Sequence, residues 1–348
     1  MRVYVGLSGG VDSAVAAALL KKAGHTVVGC FIKIWQPEFI ECAWRKDRVD
    51  AMRVCVALGI PMRELDLSEE YKRDIVGYMR EAYAMGCTPN PDALCNRSIK
   101  FGAFAAWARR EGAECIATGH YARILQEGGR HALYRGKDLQ KDQSYFLWML
   151  RERDLAFAQF PLGGMRKSDV RALAKRYALP VADKPDSQGL CFVGEVSMRD
   201  FLSRFIRVEK GSVLDESGRS IGAHDGAALY TIGQRHGFRL FSREAASVPA
   251  YVSSTSVSDN TITVTRDRER CMTTCVTIRS MHWLAGEPPR FLHAHAQLRY
   301  REAPVGVACT RVNDSAFQLQ LEKPRIAARG QSLVLYEGER ILGGGIIA

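Results

Sequence analysis

Residues 3–24 read VYVGLSGGVDSAVAAALLKKAG, and the turn in the middle of that stretch decides the fold. Val3 to Leu7 have the apolar, β-prone character of a short buried strand. Ala14 to Leu20 are strong helix formers with an apolar face, and Gly24, following Lys21 and Lys22, supplies a helix C-cap. SGGVDS is therefore a strand-to-helix corner. Such a corner exposes unpaired backbone N–H groups at the positive end of a helix dipole, and Gly9 and Gly10 let an anion approach the main chain. A tight turn capped by serine would need one glycine. Two glycines, the hydroxyls of Ser8 and Ser13 and the carboxylate of Asp12 point instead to an anion site. The chain continues Val11-Asp12-Ser13 after Gly10, so the lysine of a Walker loop is absent and an ordinary kinase-like loop is excluded. The set suits pyrophosphate, with Mg2+ bridging from the phosphates to Asp12.

At 348 residues the expectation is two or three domains, and an apolar fraction of 47% is ample for their cores. No apolar run near the start could span a bilayer and no signal-peptide core is present, so the reading is cytoplasmic, without a membrane partner. Ten cysteines are scattered without a C-x-x-C pair, which predicts reduced and mostly buried thiols and argues against a zinc ribbon. His293 and His295 share a strand face, a spacing more often plain than metal-ligating. The net charge is +11, with the surplus in residues 123–210. There Arg166, Lys167, Arg171, Lys175 and Arg176 recur at helical spacing, either a stripe that tracks phosphates or a solvated helix face.

The first 120 residues alternate strand and helix: TVVGCFIKIW, RVDAMRVCVALGI, PMRELDL, SEEYKRDIVGYMREAYAMG, NRSIKFGAFAAWARREG and CIATGH in turn. This predicts a doubly wound parallel sheet, class α/β, which places ligands at the carboxyl ends of its strands. SGGVDS and ATGHYA both fall there. From about residue 211 short alternating runs separated by turn residues predict β-strands of small barrels or sandwiches.

CTPNPDALCNRSIKF, residues 87–101, is the second informative stretch. Its prolines and Asn90 make a rigid loop, and Pro91 suits the first position of a helix. Asp92 and Cys95 then share one face of the first turn, where a thiol ionises more easily and a carboxylate can pass protons. Taken alone, the stretch reads more simply as a buried thiol and a capping carboxylate. DKPDSQGLCFVGE, residues 183–195, changes that, because Cys191 follows a polar, Gly-containing loop with Lys184 nearby. Two loop-edge cysteines on a domain with a pyrophosphate-holding loop suggest sulfur chemistry in which one carries a persulfide and the other resolves it.

SGGVDS resembles the PP-loop of the ATP pyrophosphatases, which implies cleavage of ATP to AMP and pyrophosphate with adenylation of a carbonyl oxygen. Together with TPNPDALCNRSIKF, ATGHYARI, KDQSYFL, FPLGGMRKSDVRALA, KPDSQGLCF, YTIGQRHG, LRYR and GQSLVLYEGERILGGG, it closely resembles the bacterial-type tRNA-specific 2-thiouridylases, the MnmA family, over nearly the whole chain. The resemblance implies a PP-loop catalytic domain over residues 1–200, a small central β-rich domain over 201–265 and a C-terminal tRNA-contacting β-barrel over 266–348. It implies 2-thiolation of the wobble uridine of tRNAs for Lys, Glu and Gln, with sulfur delivered by a sulfur-relay or cysteine desulfurase partner.

Carried over by position, the resemblance makes Cys95 the nucleophile, Cys191 the persulfide carrier and Asp92 the acid or base. Gly6, Leu7, Ser8, Gly9, Gly10, Val11, Asp12, Ser13, Ile32 and Gly119 would contact ATP. Asn90, Pro91 and Asp92 would surround the target base, while His120, Lys141, Asp142, Gln143, Arg299, Tyr300 and Gln331 would touch tRNA. The chain departs from the family pattern at Ile32, usually Met, at Arg329, usually Pro, and at Cys87, usually Arg. RLFSREAA, residues 239–246, replaces a glycine-rich continuation. Two rival readings remain open: a PP-loop synthetase adenylating a small carbonyl or carboxylate, with structural cysteines, and a non-catalytic tRNA-binding module. A third concerns mechanism, with Asp92, Cys95 and Cys191 ligating an iron–sulfur cluster.

Overall fold

The computed structural model describes the chain except residues 38–42, 187–197, 207, 243–247, 285, 287–288 and 314–315. The chain divides into two compact units. One comprises Met1–Ile75, Asp92–Val196 and Gly338–Leu342, and the other Val76–Pro91, Ser197–Glu337 and Gly343–Ala348.

The first unit is built on a parallel sheet. Its strands are β1 (Arg2–Leu7), β2 (Thr26–Lys33), β3 (Met62–Asp66), β4 (Cys115–Ala117) and a short β7 (Ala158–Gln159), in the order β3-β2-β1-β4-β7. Val3, Tyr4 and Val5 have no exposed surface, as expected of a parallel strand covered on both faces. Helix α1 (Val11–Lys22) buries Ala14, Ala16, Ala17 and Ala18 in the core that also holds Val3, Val5 and Leu7, and small side chains there allow close packing. Helix α2 (Ala43–Leu58) contributes Ala51, Val54 and Cys55 to the same core. β1 pairs with β2 on one side and β4 on the other, so the strand order reverses at β1. The crevice beyond the ends of β1 and β4 is where such sheets bind ligands, and SGGVDS and the 118–121 turn both lie at it. A hairpin of β5 (Ala122–Glu127) and β6 (Arg130–Arg135) follows β4.

The helices expected after Leu67 and after Asn90 form, but each contains a wider turn. Lys72–Val76 and Asn96–Phe104 are π-helical, the latter running from α-helical Pro91–Cys95 into Ala105–Arg110. In the second case Gly102 shows the reason. A Cβ there would stand 2.8 Å from the carbonyl oxygen of Arg97, five residues back, an approach that only glycine permits. Cys95 thus ends a five-residue α-helical segment and borders the π-helical one.

The second unit is β-rich. Phe238–Leu240, Ser220–His224, Gly211–Leu214, Thr261–Thr265 and Tyr251–Ser256 form a five-stranded sheet in that order around Val213, Tyr230, Val252, Ile262 and Val264. Six further strands, Thr273–Trp283, Phe291–Gln297, Val305–Asn313, Ala316–Arg325, Ser332–Glu337 and Arg340–Ile347, pair in one sheet. It closes into a barrel because the first of them also pairs with the last, from Ile278↔Ile347 to Trp283↔Gly343. Alternation along Ala316–Arg325, with Phe317, Leu319 and Leu321 inside, fills that barrel.

Candidate active site

The PP-loop emerges from β1 at Ser8. Ser13 is buried, accepts a hydrogen bond from the Ser8 amide at 3.2 Å and donates to the Gly10 carbonyl at 3.2 Å, so its hydroxyl shapes the loop. Gly9 has φ +72°, and a Cβ there would collide with the backbone of Asp47 in α2. Gly119, in the turn after β4, abuts the backbone of Asp12 and Ser13, and the Ile32 side chain lies over Gly6. These residues expected at ATP are therefore brought together. Leu7 and Val11 are core residues, so any contact they make with a ligand is through backbone.

Asp12 is not left to itself. It accepts from the Tyr121 hydroxyl at 2.8 Å, and Lys167 reaches both its oxygens, at 2.7 and 2.8 Å. Lys167 also contacts Asp186 at 2.8 Å, and Asp186 takes Lys141 at 2.8 Å and Arg171 at 2.5 Å. Arg171 further donates to the carbonyls of Ala182 and Lys184, clamping that turn. Burial works to raise the Asp186 carboxyl, but its hydrogen bonds with Lys141 and Lys167 outweigh it and hold the group well below the usual carboxylate range. The basic stripe on Lys167–Arg176 thus departs from a free phosphate-tracking face. Lys167 and Arg171 turn into this network, and Lys175 lies 3.4 Å from an exposed Asp183.

Beside the loop, burial and then the charge of Lys100 lower His120 well below the ordinary imidazole range, which favours the neutral ring. Its ring lies against Phe101 and Phe160, and Thr118 is 2.7 Å from Nδ1. His120 is only 7% exposed, which leaves little of it open to RNA. Burial pushes the Asp92 carboxyl above its ordinary range, with Lys100 offsetting part, which favours a group that holds a proton at higher pH. Cys95 is buried. Asp142 caps a turn by accepting from Gly136 N, Ser144 N and Ser144 Oγ, and Gln143 exchanges hydrogen bonds with the backbone of Tyr121. Both side chains are occupied in building the site. Cys191 lies outside the described residues.

Within the second unit, the Asn90 amide donates to Ser332 at 3.1 Å in a buried pair next to Pro91. Arg299 donates to the Ile232 carbonyl at 3.0 Å, and Arg299 and Gln331 line a cavity of about 780 Å³ with Arg235, His236 and Arg268. Tyr300 carries the guanidinium of Arg301 over its ring at 5.2 Å. The cavity gathers three arginines, the composition of an RNA-backbone contact.

Sequence reasoning missed Tyr121, Lys167 as a partner of Asp12, Asp186, Arg235 and Arg268. Tyr121, Lys167 and Asp186 sit inside motifs quoted above, yet only the fold shows that they meet. Among the described residues all cysteines are free, and no group of three or more His, Cys, Asp or Glu could hold a metal ion. Asp12 is the carboxylate of the loop, in the first turn of α1. Of the residues considered as cluster ligands, Asp92 and Cys95 are described and Cys191 is not.

A glycine-serine loop at the switch point of a parallel sheet, with a carboxylate in the first helical turn, defines a PP-loop domain of the nucleotide-activating class. Family models match in series: the tRNA methyl transferase HUP domain over residues 1–195, the tRNA methyl transferase PRC-barrel domain over 199–266 and the aminomethyltransferase β-barrel domain over 273–347. The chain is 42% identical over 353 residues to the tRNA-specific 2-thiouridylase MnmA of Xanthomonas axonopodis pv. citri, covering 100% of this chain and 93% of that protein. It is 43% identical over 354 residues to that of Stenotrophomonas maltophilia strain R551-3, with the same coverage. The U34-tRNA thiolase NcsA of Methanococcus maripaludis, solved with its [4Fe-4S] cluster, shares 20% identity at a TM-score of 0.36 over 59% of this chain and 63% of that one. The chain belongs to the MnmA family of tRNA-specific 2-thiouridylases, and is a tRNA sulfurtransferase. No described helix is long and apolar enough to cross a membrane.

Proposed function

We propose that the protein uses ATP to thiolate the wobble uridine of tRNAs for Lys, Glu and Gln. The observation that carries this reading is the meeting of the PP-loop with the Gly119–His120 turn, where Gly119 abuts the backbone of Asp12 and Ser13. In the first step the C2 carbonyl oxygen of uracil bonds to the α-phosphorus, the bond to the bridging oxygen breaks, and pyrophosphate leaves with the electron pair. In the second, the terminal sulfur of a persulfide on Cys191 bonds to C2 and AMP leaves. Cys95 attacks the inner sulfur, so the sulfur–sulfur bond breaks toward the product and a Cys95–Cys191 disulfide forms. A thiol reductant resets the pair, and a sulfur-relay or cysteine desulfurase protein reloads Cys191.

A raised Asp92 carboxyl supports proton transfer to or from the base, and Asn90 and Pro91 immediately before it would frame the nucleotide. Asp12 would hold a magnesium ion brought by the phosphates, which would supply neutralisation of their charge. The cavity with Arg235, Arg268 and Arg299 supports RNA contact by the second unit. Nucleoside analysis of tRNA from cells lacking the protein tests this reading. Loss of 2-thiouridine at the wobble position of those three tRNAs is expected, and unchanged levels would reject it.

A further inference from the structure

Lys167 reaches the PP-loop from a helix far along the chain. The loop has no lysine of its own, yet a lysine 155 residues away in sequence brings Nζ to 2.7 and 2.8 Å from the Asp12 oxygens, in the first turn of α1. Its root is fixed. The Lys167 amide donates to Asp138 at 2.9 Å, at the start of helix Lys167–Arg176, and Arg171 one turn on is anchored to Asp186 and two carbonyls. The side chain is only 13% exposed, so its ammonium is directed at the loop rather than into solvent.

The charges around it form a connected set. Lys141, Lys167 and Arg171 face Asp12 and Asp186, with Asp138 at the Lys167 amide, while Lys184 sits between Asp47 and Asp50. Lys167 is the cation shared between Asp12 and Asp186, beside the first turn of α1. Of the three, only Lys167 reaches Asp12. An anion at the loop competes directly with Asp12 for its Nζ.

We infer that Lys167 is the phosphate-binding cation of this site, holding the β- and γ-phosphates of ATP as the pyrophosphate leaving group. This rests on the ATP reading above. As the α-phosphorus bonds to the substrate oxygen and releases the bridging oxygen, pyrophosphate takes the electron pair, and the Lys167 ammonium stabilises the added charge. The lysine thus supplies from helix Lys167–Arg176 what a Walker loop supplies from its own sequence.

Calorimetric titration of wild type, Lys167→Ala and Lys167→Arg with ATP, inorganic pyrophosphate and AMP, all without divalent cations, tests this. Lys167→Ala should weaken ATP and pyrophosphate by roughly ten- to a hundredfold, the worth of a charge-assisted hydrogen bond, and leave AMP unchanged. Lys167→Arg should restore part of the pyrophosphate affinity, and AMP binding reports that each variant is folded. Equal loss for ATP and AMP, or no loss for either, overturns the assignment while wild-type ATP binding stands. Wild-type protein that binds neither ATP nor pyrophosphate overturns the nucleotide reading and this inference with it.

Discussion

Lys184 donates from Nζ to the carbonyl oxygen of Gly9 at 3.0 Å while Asp47 and Asp50 of α2 take its charge at 2.8 and 2.7 Å. The left-handed glycine of the PP-loop is thus held from behind by a residue near the far end of the unit's sequence. Removing the ammonium leaves two neighbouring carboxylates, one of them only 13% exposed, with Arg53 at 3.5 Å from Asp50 as the remaining cation. Lys184→Ala should therefore lower stability by about 1–3 kcal/mol. It should weaken ATP more than tRNA, because the loop loses its support. Urea unfolding and parallel titrations with the two ligands check this. Equal weakening of both would show that Lys184 acts on the whole unit rather than on the loop.

Acid sensitivity follows from Asp186. Its carboxyl is held below the ordinary value because its hydrogen bonds to Lys141 and Lys167 outweigh burial. A folded-state pKa below the unfolded one contributes stability in full above about pH 5 and loses it as pH falls through about 3.9 toward the folded value. Thermal unfolding of wild type should thus fall steeply on acidification. Asp186→Asn should be less stable at neutral pH and show a shallower acid limb. Parallel curves for the two proteins would remove Asp186 from the account.

How much of this was readable beforehand depends on distance along the chain. The loop, its α/β setting and the later β-rich texture follow from local pattern, because strand, turn and helix signals span a few residues each. The neighbours of Asp12 do not. Lys167 and Asp186 are ordinary charged residues in a basic segment, and Lys167 read there as part of a solvent-facing stripe. Only the packing of helix Lys167–Arg176 on α1, with Val170 and Ala174 in the common core, turns its first residue toward the loop. The π-helical stretch was equally hidden. Gly102 in a helical pattern reads as a weak helix position, and its close approach to the Arg97 carbonyl exists only once the chain is folded.

That glycine gives a third prediction. Gly102→Ala places a methyl group 2.8 Å from the Arg97 carbonyl oxygen, so the helix must shift, at a cost of about 1–3 kcal/mol. Relaxation toward a regular helix would turn the preceding segment, which carries Asp92 and Cys95, relative to the sheet. Thiolation should fall well beyond what the loss of stability explains, while AMP affinity stays near wild type. Activity that simply tracks the folded fraction would make the wide turn incidental to catalysis.

The fourth prediction concerns Asp12. Asp12→Ala removes the partner of Lys167 and Tyr121 and the carboxylate proposed to meet a phosphate-borne magnesium ion. Adenylation, read as release of AMP and pyrophosphate, should drop strongly with tRNA affinity nearly intact. Detection of ADP and phosphate as wild-type products would contradict the PP-loop chemistry itself.

The last prediction concerns sulfur. If Cys191 carries the persulfide and Cys95 resolves it, a single turnover without reductant must leave the two joined, since electron balance allows no other fate for the pair. Non-reducing peptide mapping should find that cross-link, and Cys95→Ser and Cys191→Ser should each abolish both cross-link and product. Cys87 is the internal control. It lies eight residues before Cys95 in sequence, is not fully buried, and replaces a residue that is arginine in the family pattern, so it offers a competing thiol. Its amide bonds to the Ala82 carbonyl at 2.9 Å and its Cβ packs beside Gly330, which gives it a structural role that serine can fill. Cys87→Ser should leave thiolation largely intact. A mapped Cys87–Cys95 bond after turnover, or full activity in Cys191→Ser, would show that the sulfur travels by another route.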